Sequence, residues 1–164
     1  MVIGGQAVLF YGEPRMTRDI DITLGLSPEE TNKVLDLIEE CGLNVLVDNP
    51  LEFARETMVL PACDIESPVR VDFIFSLSEY EKEAMKRTVP VKILGEMIRF
   101  VSPEDLIIHK LVAGRPRDIE DIRMVLLKNT QVDSGYILRW LKDFDISLDA
   151  SLESQFTKLR DSLS

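Results

Sequence analysis

The chain has 164 residues, of which 45% are hydrophobic and 29% are charged, and its formal net charge at pH 7 is −10. This composition is typical of a globular protein with one hydrophobic core, and it excludes disordered and fibrous proteins. The excess of acidic residues argues against broad, non-specific nucleic-acid binding, which requires many lysines and arginines.

The N-terminal residues predict a strand, a glycine turn and a short helix. The opening Val-Ile is followed by Gly4 and Gly5, and the apolar run after them stops at Gly12. A polar loop is expected over residues 13–18. Residues 19–24, with the sequence DIDITL, alternate acid and isoleucine, which predicts a strand with one buried face.

The middle of the chain predicts a helix and then mostly extended structure. Residues 27–41 begin with Ser-Pro-Glu-Glu and carry apolar residues at helical spacing, so we expect a helix. Over residues 44–75 the segments LNVLV, RETMVL and RVDFIF are strand candidates. Residues 77–87 predict a helix, VPVKILGEMIRFV predicts a hairpin turning at Gly95, and the chain after residue 102 predicts at least three helices.

This order of elements predicts an α+β fold, with a mixed β-sheet flanked by helices and a helical C-terminal extension. We expect residues 1–102 to form the core and residues 103–164 to form a helical region packed on it, together as a single compact unit. No stretch reaches the roughly 18 consecutive apolar residues of a membrane span. The N-terminus lacks the features of a secretion signal, so we expect a cytoplasmic protein with no membrane partner.

Three aspartates are the candidate chemical groups. Asp19 and Asp21 lie two apart on one strand and therefore project from the same face, and Asp72 projects from its strand opposite Val71 and Phe73. If the two strands are neighbours, three like charges meet and need a cation to neutralise them. All-oxygen ligation favours Mg²⁺ or Mn²⁺. The alternative is that these acids only decorate an exposed strand.

The glycine turn is a second candidate. Gly4 and Gly5 between a strand and a helix would let the backbone approach a ligand and present amide groups to phosphate. The alternative is a simple tight turn.

Together these motifs resemble the nucleotidyltransferase superfamily with the DNA-polymerase-β-type palm, and within it the AbiEii-type and minimal nucleotidyltransferase-like families. Related sequences usually carry a helix before the opening strand, which is a departure in this chain. The resemblance extends over about residues 1–127. It is carried by Gly4-Gly5, Thr17-Arg18-Asp19-Ile20-Asp21, Ser102-Pro103-Glu104-Asp105-Leu106, Lys110-Leu111, Gly114 to Asp118, and Asp121-Ile122-Arg123.

Lys110 and Asp118 allow two interpretations. Helical periodicity places Lys110 at the edge of an apolar arc and directs Asp118 toward the protein body. The first interpretation is a buried ion pair of Lys110 with Asp118 or Asp121 that joins two helices. The second, implied by the resemblance, is that Lys110 contacts a nucleotide triphosphate.

The resemblance implies transfer of a nucleoside monophosphate from an NTP to an acceptor hydroxyl, with release of pyrophosphate. It implies that Asp19, Asp21 and Asp72 are the catalytic residues and metal ligands. The implied nucleotide-binding residues are Gly4, Gly5, Thr17, Arg18, Lys110 and Asp118.

The acceptor and the biological role stay open at this point. Transfer RNA, a protein and a small molecule are all acceptors within the superfamily, and the AbiEii-type resemblance suggests a toxin with a cognate antitoxin. The alternatives are a non-catalytic nucleotide- or metal-binding protein of the same fold, and a hydrolase that uses an acid pair.

Overall fold

The structure is a computed structural model that describes residues 1–14, 16–67 and 69–163. The described ranges contain a seven-stranded sheet and eight α-helices. The strands are β1 (Val2–Ile3), β2 (Asp19–Thr23), β3 (Leu43–Val45), β4 (Val59–Asp64), β5 (Arg70–Ile74), β6 (Val89–Ile93) and β7 (Glu96–Phe100). The helices are α1 (Gly4–Tyr11), α2 (Thr31–Glu40), α3 (Pro50–Thr57), α4 (Glu79–Lys86), α5 (Pro103–Ala113), α6 (Pro116–Lys128), α7 (Ser134–Leu148) and α8 (Leu152–Asp161).

The sheet is mixed, with the strand order β3-β4-β5-β2-β1-β7-β6. The β2–β5 and β1–β7 pairs are parallel and the other four pairs are antiparallel. Parallel neighbours need a long crossover connection, and the segment between β2 and β5 provides it with α2, β3, α3 and β4. The predicted α+β class with a mixed sheet is therefore confirmed.

The chain divides into two compact units. The first comprises Met1–Gln6 and Met16–Phe100, and the second comprises Ala7–Arg15 and Val101–Ser164. We expected one unit with a core over residues 1–102; in the structure the sheet-containing unit ends at Phe100, and the segment from Ala7 belongs with the C-terminal helices. Hydrogen bonds explain this grouping, because the amide of Asn129 donates to the carbonyl of Tyr11 at 2.9 Å.

The core of the first unit lies on one face of the sheet. It is formed by alternate residues of β4 and β5 together with apolar residues of α2 and α3: Val34, Ile38, Ala54, Leu60, Ala62, Val71, Phe73 and Phe75. Ile20 and Ile22 of β2 pack against this cluster, as the alternating DIDITL pattern predicts. The aspartates that alternate with them therefore face away from this core.

The predicted strand over RETMVL was wrong for residues 55–57, which are helical, whereas Val59 and Leu60 begin a strand. Residues 50–57 form α3, which has a proline in its first turn and ends at Met58 in the left-handed conformation, with φ of 60°. Strand β4 follows at once and contains Pro61, whose carbonyl accepts from the Leu46 amide. In an antiparallel ladder the Pro61 nitrogen then also faces β3, beyond the last β3–β4 register pair, where the missing N–H costs little.

Other predicted elements of the first unit are confirmed. Residues 27–41 form a 3₁₀ turn at Pro28–Glu30 followed by α2, and residues 77–87 contain α4, capped by the Ser78 side chain. The hairpin of β6 and β7 turns through Leu94 and Gly95, which both have positive φ as a type I′ turn requires. The loop predicted over residues 13–18 has neither helix nor strand in its described part, and residue 15 lies outside the described residues.

The second unit is built around α5, which contacts α6, α7 and α8. Most of α5 is buried, including Leu106, Ile107, Ile108 and Leu111, as expected of a helix surrounded by others. The sequence predicted at least three helices after residue 102, and the described residues there form four. No helix in the described ranges is long and apolar enough to cross a membrane.

Candidate active site

Two of the predicted catalytic aspartates are direct neighbours in the sheet. Strands β2 and β5 run parallel, and Asp21 is in register with Asp72. Register partners on adjacent strands lie about 4.8 Å apart and project from the same face, so the two carboxylates stand side by side. The condition set by the sequence, that the two strands be neighbours, is met.

Asp19 lies on the same face as Asp21, one period along β2. Its backbone is about 7 Å from that of Asp21, and its register partner on β5 is Arg70 rather than an acid. The Asp19 carboxylate accepts a hydrogen bond from the Thr17 hydroxyl at 2.8 Å. Thr17 and Asp19, both predicted site residues, are therefore joined, while Arg18 between them is exposed.

Asp72 is paired with a residue that the sequence reasoning did not single out. Arg70 Nε donates to Asp72 Oδ1 at 2.7 Å, and the two side chains are 52% and 16% exposed. Ion pairs as exposed as this one contribute about 0–1 kcal/mol to stability. This pairing could have been predicted from the sequence, because Arg70 and Asp72 are two residues apart on a strand and must share a face.

Gly4 brings the polypeptide backbone against Asp21. It has φ of +61°, and a Cβ added to it would lie 1.9 Å from Asp21 Oδ2 and 2.8 Å from Asp21 Cγ. Any side chain at this position would therefore overlap the carboxylate. In the structure the glycine turn permits close approach of Asp21, and the predicted approach of a ligand to Gly4 and Gly5 stays a prediction. Gly5, which follows in the first turn of α1, is buried.

The carboxylate face fits a hard divalent cation by its donor chemistry. Asp19, Asp21 and Asp72 all offer oxygen ligands, which suit Mg²⁺ and Mn²⁺. In the part of the chain that the structure describes, however, no three His, Cys, Asp or Glu side chains converge as a metal-binding group. Two of the three carboxylates already accept hydrogen bonds, Asp72 from Arg70 and Asp19 from Thr17.

Lys110 and Asp118 lie in the second unit, where they form a buried ionic cluster with Asp121. Lys110 Nζ is 2.7 Å from Asp118 Oδ1 and 2.8 Å from Asp121 Oδ2. The three side chains are at most 10% exposed, and the remaining Asp118 oxygen accepts from the Arg115 amide. The ion pair that the sequence offered as one interpretation is thus present and joins α5 to α6. The nucleotide-binding role of Lys110 and Asp118 stays a prediction.

A second buried network in this unit fixes the start of α5. Ser102 Oγ donates to Asp105 Oδ2 at 2.6 Å, and the Tyr136 hydroxyl donates to Asp105 Oδ1 at 2.8 Å. The Tyr136 ring also meets the Trp140 ring edge to face, with ring centroids 6.5 Å apart. The hydrogen bond of Tyr136 to Asp105 had no signal in the sequence, because the two residues are 31 positions apart.

Residues 1–159 match the family model described as "Nucleotidyltransferase of unknown function (DUF6036)". The chain belongs to this family. A comparison with curated proteins found no match.

Solved structures similar to this member of the family share its fold at low sequence identity. The antibiotic-resistance factor ANT(2'')-Ia has a TM-score of 0.52 and 15% identity over 99% of this chain and 83% of its own. An antigenic nucleotidyltransferase-like protein from Paracoccidioides brasiliensis has a TM-score of 0.51 and 12% identity over 98% and 83%. JHP933 from Helicobacter pylori has a TM-score of 0.50 and 15% identity over 98% and 80%. The predicted nucleotidyltransferase fold is therefore confirmed.

Proposed function

We propose that the protein is a metal-dependent nucleotidyltransferase that moves a nucleoside monophosphate from an NTP to an acceptor hydroxyl. The observation that carries this proposal is the parallel register of β2 and β5, which sets Asp21 beside Asp72 next to the glycine turn at Gly4. Family membership supports the same class of reaction. In the transfer, the acceptor oxygen forms a bond to the α-phosphorus, the bond from that phosphorus to the bridging oxygen breaks, and pyrophosphate leaves.

Each residue of the carboxylate face has a proposed task. Asp19, Asp21 and Asp72 would hold Mg²⁺ or Mn²⁺, and Asp72 would also accept the proton of the acceptor hydroxyl. A divalent cation held there would neutralise charge on the phosphate oxygens during transfer. Gly4 and Gly5 would present backbone amides of the first turn of α1 to phosphate, with Thr17 and Arg18 beside them.

Calorimetry of each NTP, with Mg²⁺ and with a chelator, tests this proposal. We expect the wild type to bind an NTP only with the metal, and Asp19→Asn/Asp21→Asn to lose that binding. Asp36→Asn/Asp143→Asn, which changes two exposed aspartates on α2 and α7, is the charge-matched control and should bind normally. A folded wild-type protein that binds no NTP would contradict the proposal.

The acceptor we favour is a small molecule, with transfer RNA and a protein hydroxyl as the competing classes. The similar structure of an antibiotic-resistance factor supports a small-molecule acceptor, and the net charge of −10 disfavours a nucleic acid. Incubation with labelled NTP and each acceptor class identifies the modified species. In an AbiEii-type toxin–antitoxin role, overexpression should slow growth, and normal growth with abundant folded protein would exclude that role.

A non-catalytic nucleotide- or metal-binding protein is the second candidate. The observation that favours it is the pairing of Asp72 with Arg70, which keeps one predicted ligand occupied. Turnover of labelled NTP separates the two candidates, because the binding protein would retain NTP and Mg²⁺ without releasing pyrophosphate.

A further inference from the structure

Arg70 places a positive charge on the face that carries Asp19, Asp21 and Asp72. It lies two residues before Asp72 on β5 and is the register partner of Asp19 on β2. Side chains two apart on a strand share a face, so its guanidinium stands among the same acids that the proposed function assigns to a metal ion. The like charges of Asp21 and Asp72, which are register partners, repel each other, and Arg70 supplies a compensating positive charge from within the chain.

The geometry of the contact makes it reversible. Arg70 Nε donates to Asp72 Oδ1 at 2.7 Å, which occupies an oxygen that a cation would otherwise use. The arginine side chain is 52% exposed, so it can leave Asp72 without breaking core packing. This differs from Lys110, whose ion pairs in the second unit are buried.

We propose that Arg70 is a positioning residue that holds Asp72 as an internal counter-cation and competes with a divalent cation for that carboxylate. A metal ion that uses Asp72 Oδ1 must displace the guanidinium, and one that uses the other oxygen must still overcome the repulsion of a nearby positive charge. The affinity of the carboxylate face for a divalent cation is therefore lower than the three aspartates alone would give. This inference rests on the proposed function, because it presupposes that these aspartates bind a metal.

The inference can be tested without reference to activity by measuring the binding of Mn²⁺ alone. The electron paramagnetic resonance signal of the free ion reports how much Mn²⁺ stays unbound. We expect Arg70→Gln to bind Mn²⁺ about three- to tenfold more tightly than the wild type, because the competing charge is gone. Arg70→Lys keeps the charge and should resemble the wild type.

Lys92→Gln is the matched control for net charge. Lys92 is exposed on the edge strand β6, four strands from β5 in the sheet order, which is about 19 Å. That distance is more than two Debye lengths at physiological salt, so this control should leave Mn²⁺ affinity unchanged. Equal tightening in Lys92→Gln and Arg70→Gln would overturn the inference, since it would reflect net charge alone.

The Asp21→Asn variant separates failure of this inference from failure of the proposed function. If Mn²⁺ binding is lost in Asp21→Asn while Arg70→Gln binds no tighter than the wild type, the site exists and the role of Arg70 is overturned. If neither the wild type nor Arg70→Gln binds Mn²⁺, the proposed metal site fails and this inference fails with it. Binding that appears only in Arg70→Gln would support the inference in its strongest form.

Discussion

The Asp21 carboxylate can occupy its position because Gly4 has no side chain. The backbone of Gly4 has φ of +61°, and its missing Cβ leaves the space that the Asp21 carboxylate fills. Arg70 acts on the same face by a direct contact with Asp72. Gly4 thus leaves space for the Asp21 carboxylate, and Arg70 donates a hydrogen bond to Asp72. Single substitutions can measure both effects.

Gly4→Ala should lower the free energy of unfolding and displace Asp21. Alanine in the left-handed region costs about 1–2 kcal/mol, and the overlap with Asp21 Oδ2 adds to that cost. Gly42→Ala is the matched control, because Gly42 has φ of +69° but nothing within 4 Å of an added Cβ. Urea denaturation should therefore show a larger loss for Gly4→Ala, and Mn²⁺ binding should weaken in that variant only. Equal losses in both variants would contradict a specific overlap with Asp21.

Tyr11→Phe should increase stability relative to the wild type at alkaline pH. Burial, and secondarily the negative charge of Glu104, raises the pKa of the Tyr11 phenol to about 12. The unfolded chain releases this proton near pH 10, so the stability contributed by Tyr11 is complete below pH 10 and is lost between pH 10 and 12. At pH 11 the free energy of unfolding of Tyr11→Phe should exceed that of the wild type by up to about 1 kcal/mol. Urea denaturation at pH 8 and pH 11 measures the difference.

Tyr136→Phe provides the contrast at neutral pH. The Tyr11 hydroxyl is buried and has no hydrogen-bond partner among the described residues, whereas the Tyr136 hydroxyl donates to the buried Asp105. Removal of the Tyr136 hydroxyl should lower the free energy of unfolding by about 1–3 kcal/mol, and removal of the Tyr11 hydroxyl should leave it unchanged. A loss of stability in Tyr11→Phe at pH 8 would show that its hydroxyl has a partner.

Helices α5 and α6 are joined by charge as well as by apolar packing. Lys110 on α5 reaches both Asp118 and Asp121 on α6, and all three side chains are nearly inaccessible. The short connection between the helices contains Gly114, which ends α5 in the left-handed conformation. A buried lysine between two carboxylates fixes how the helices pair, because burying a charge is unfavourable unless an opposite charge lies beside it.

Lys110→Met should lower the free energy of unfolding by about 3–5 kcal/mol, because it removes the cation that two buried carboxylates contact. Adding Asp118→Asn and Asp121→Asn should restore most of that loss. Lys82→Met is the control, since Lys82 pairs with Glu79 at the surface. This variant should lose less than about 1 kcal/mol of its free energy of unfolding. Urea denaturation gives the four free energies.

The same variants test the predicted nucleotide contact of Lys110. If the ion pair is only structural, the restored triple variant should bind an NTP as the wild type does. Loss of NTP binding in a stable triple variant would instead assign Lys110 to the nucleotide.

The whole chain carries a formal charge of −10, with 29 acidic residues against 19 basic ones. This excess repels a polyanion at long range and bears on the choice of acceptor. A nucleic-acid acceptor would have to be recognised by a local surface, since the overall field opposes it.

Random-sequence RNA should therefore not bind measurably at physiological salt. Fluorescence anisotropy with a labelled RNA, repeated with labelled transfer RNA, checks this expectation. Binding of both RNAs with a steep dependence on salt concentration would contradict it. Binding of transfer RNA alone would favour transfer RNA as the acceptor.

Local patterns in the chain were sufficient for most of the fold. The alternation of acids and isoleucines over residues 19–24 places Asp19 and Asp21 on one face, because successive side chains of a strand point to opposite faces. The wrong prediction of a strand at residues 55–57 has an equally local cause. There a helix is followed within two residues by the apolar start of β4, so the two patterns merged into one apparent strand.

The partners of the candidate site were decided only in three dimensions. The register of β2 with β5, the overlap of Gly4 with Asp21 and the grouping of residues 7–15 with the C-terminal helices all join segments distant in sequence. Such pairings depend on long crossover connections and on the packing of whole elements, which periodicity does not encode. The residue types and the faces they occupy thus follow from the local sequence, whereas the neighbours of Asp21 and Asp72 follow from the tertiary fold.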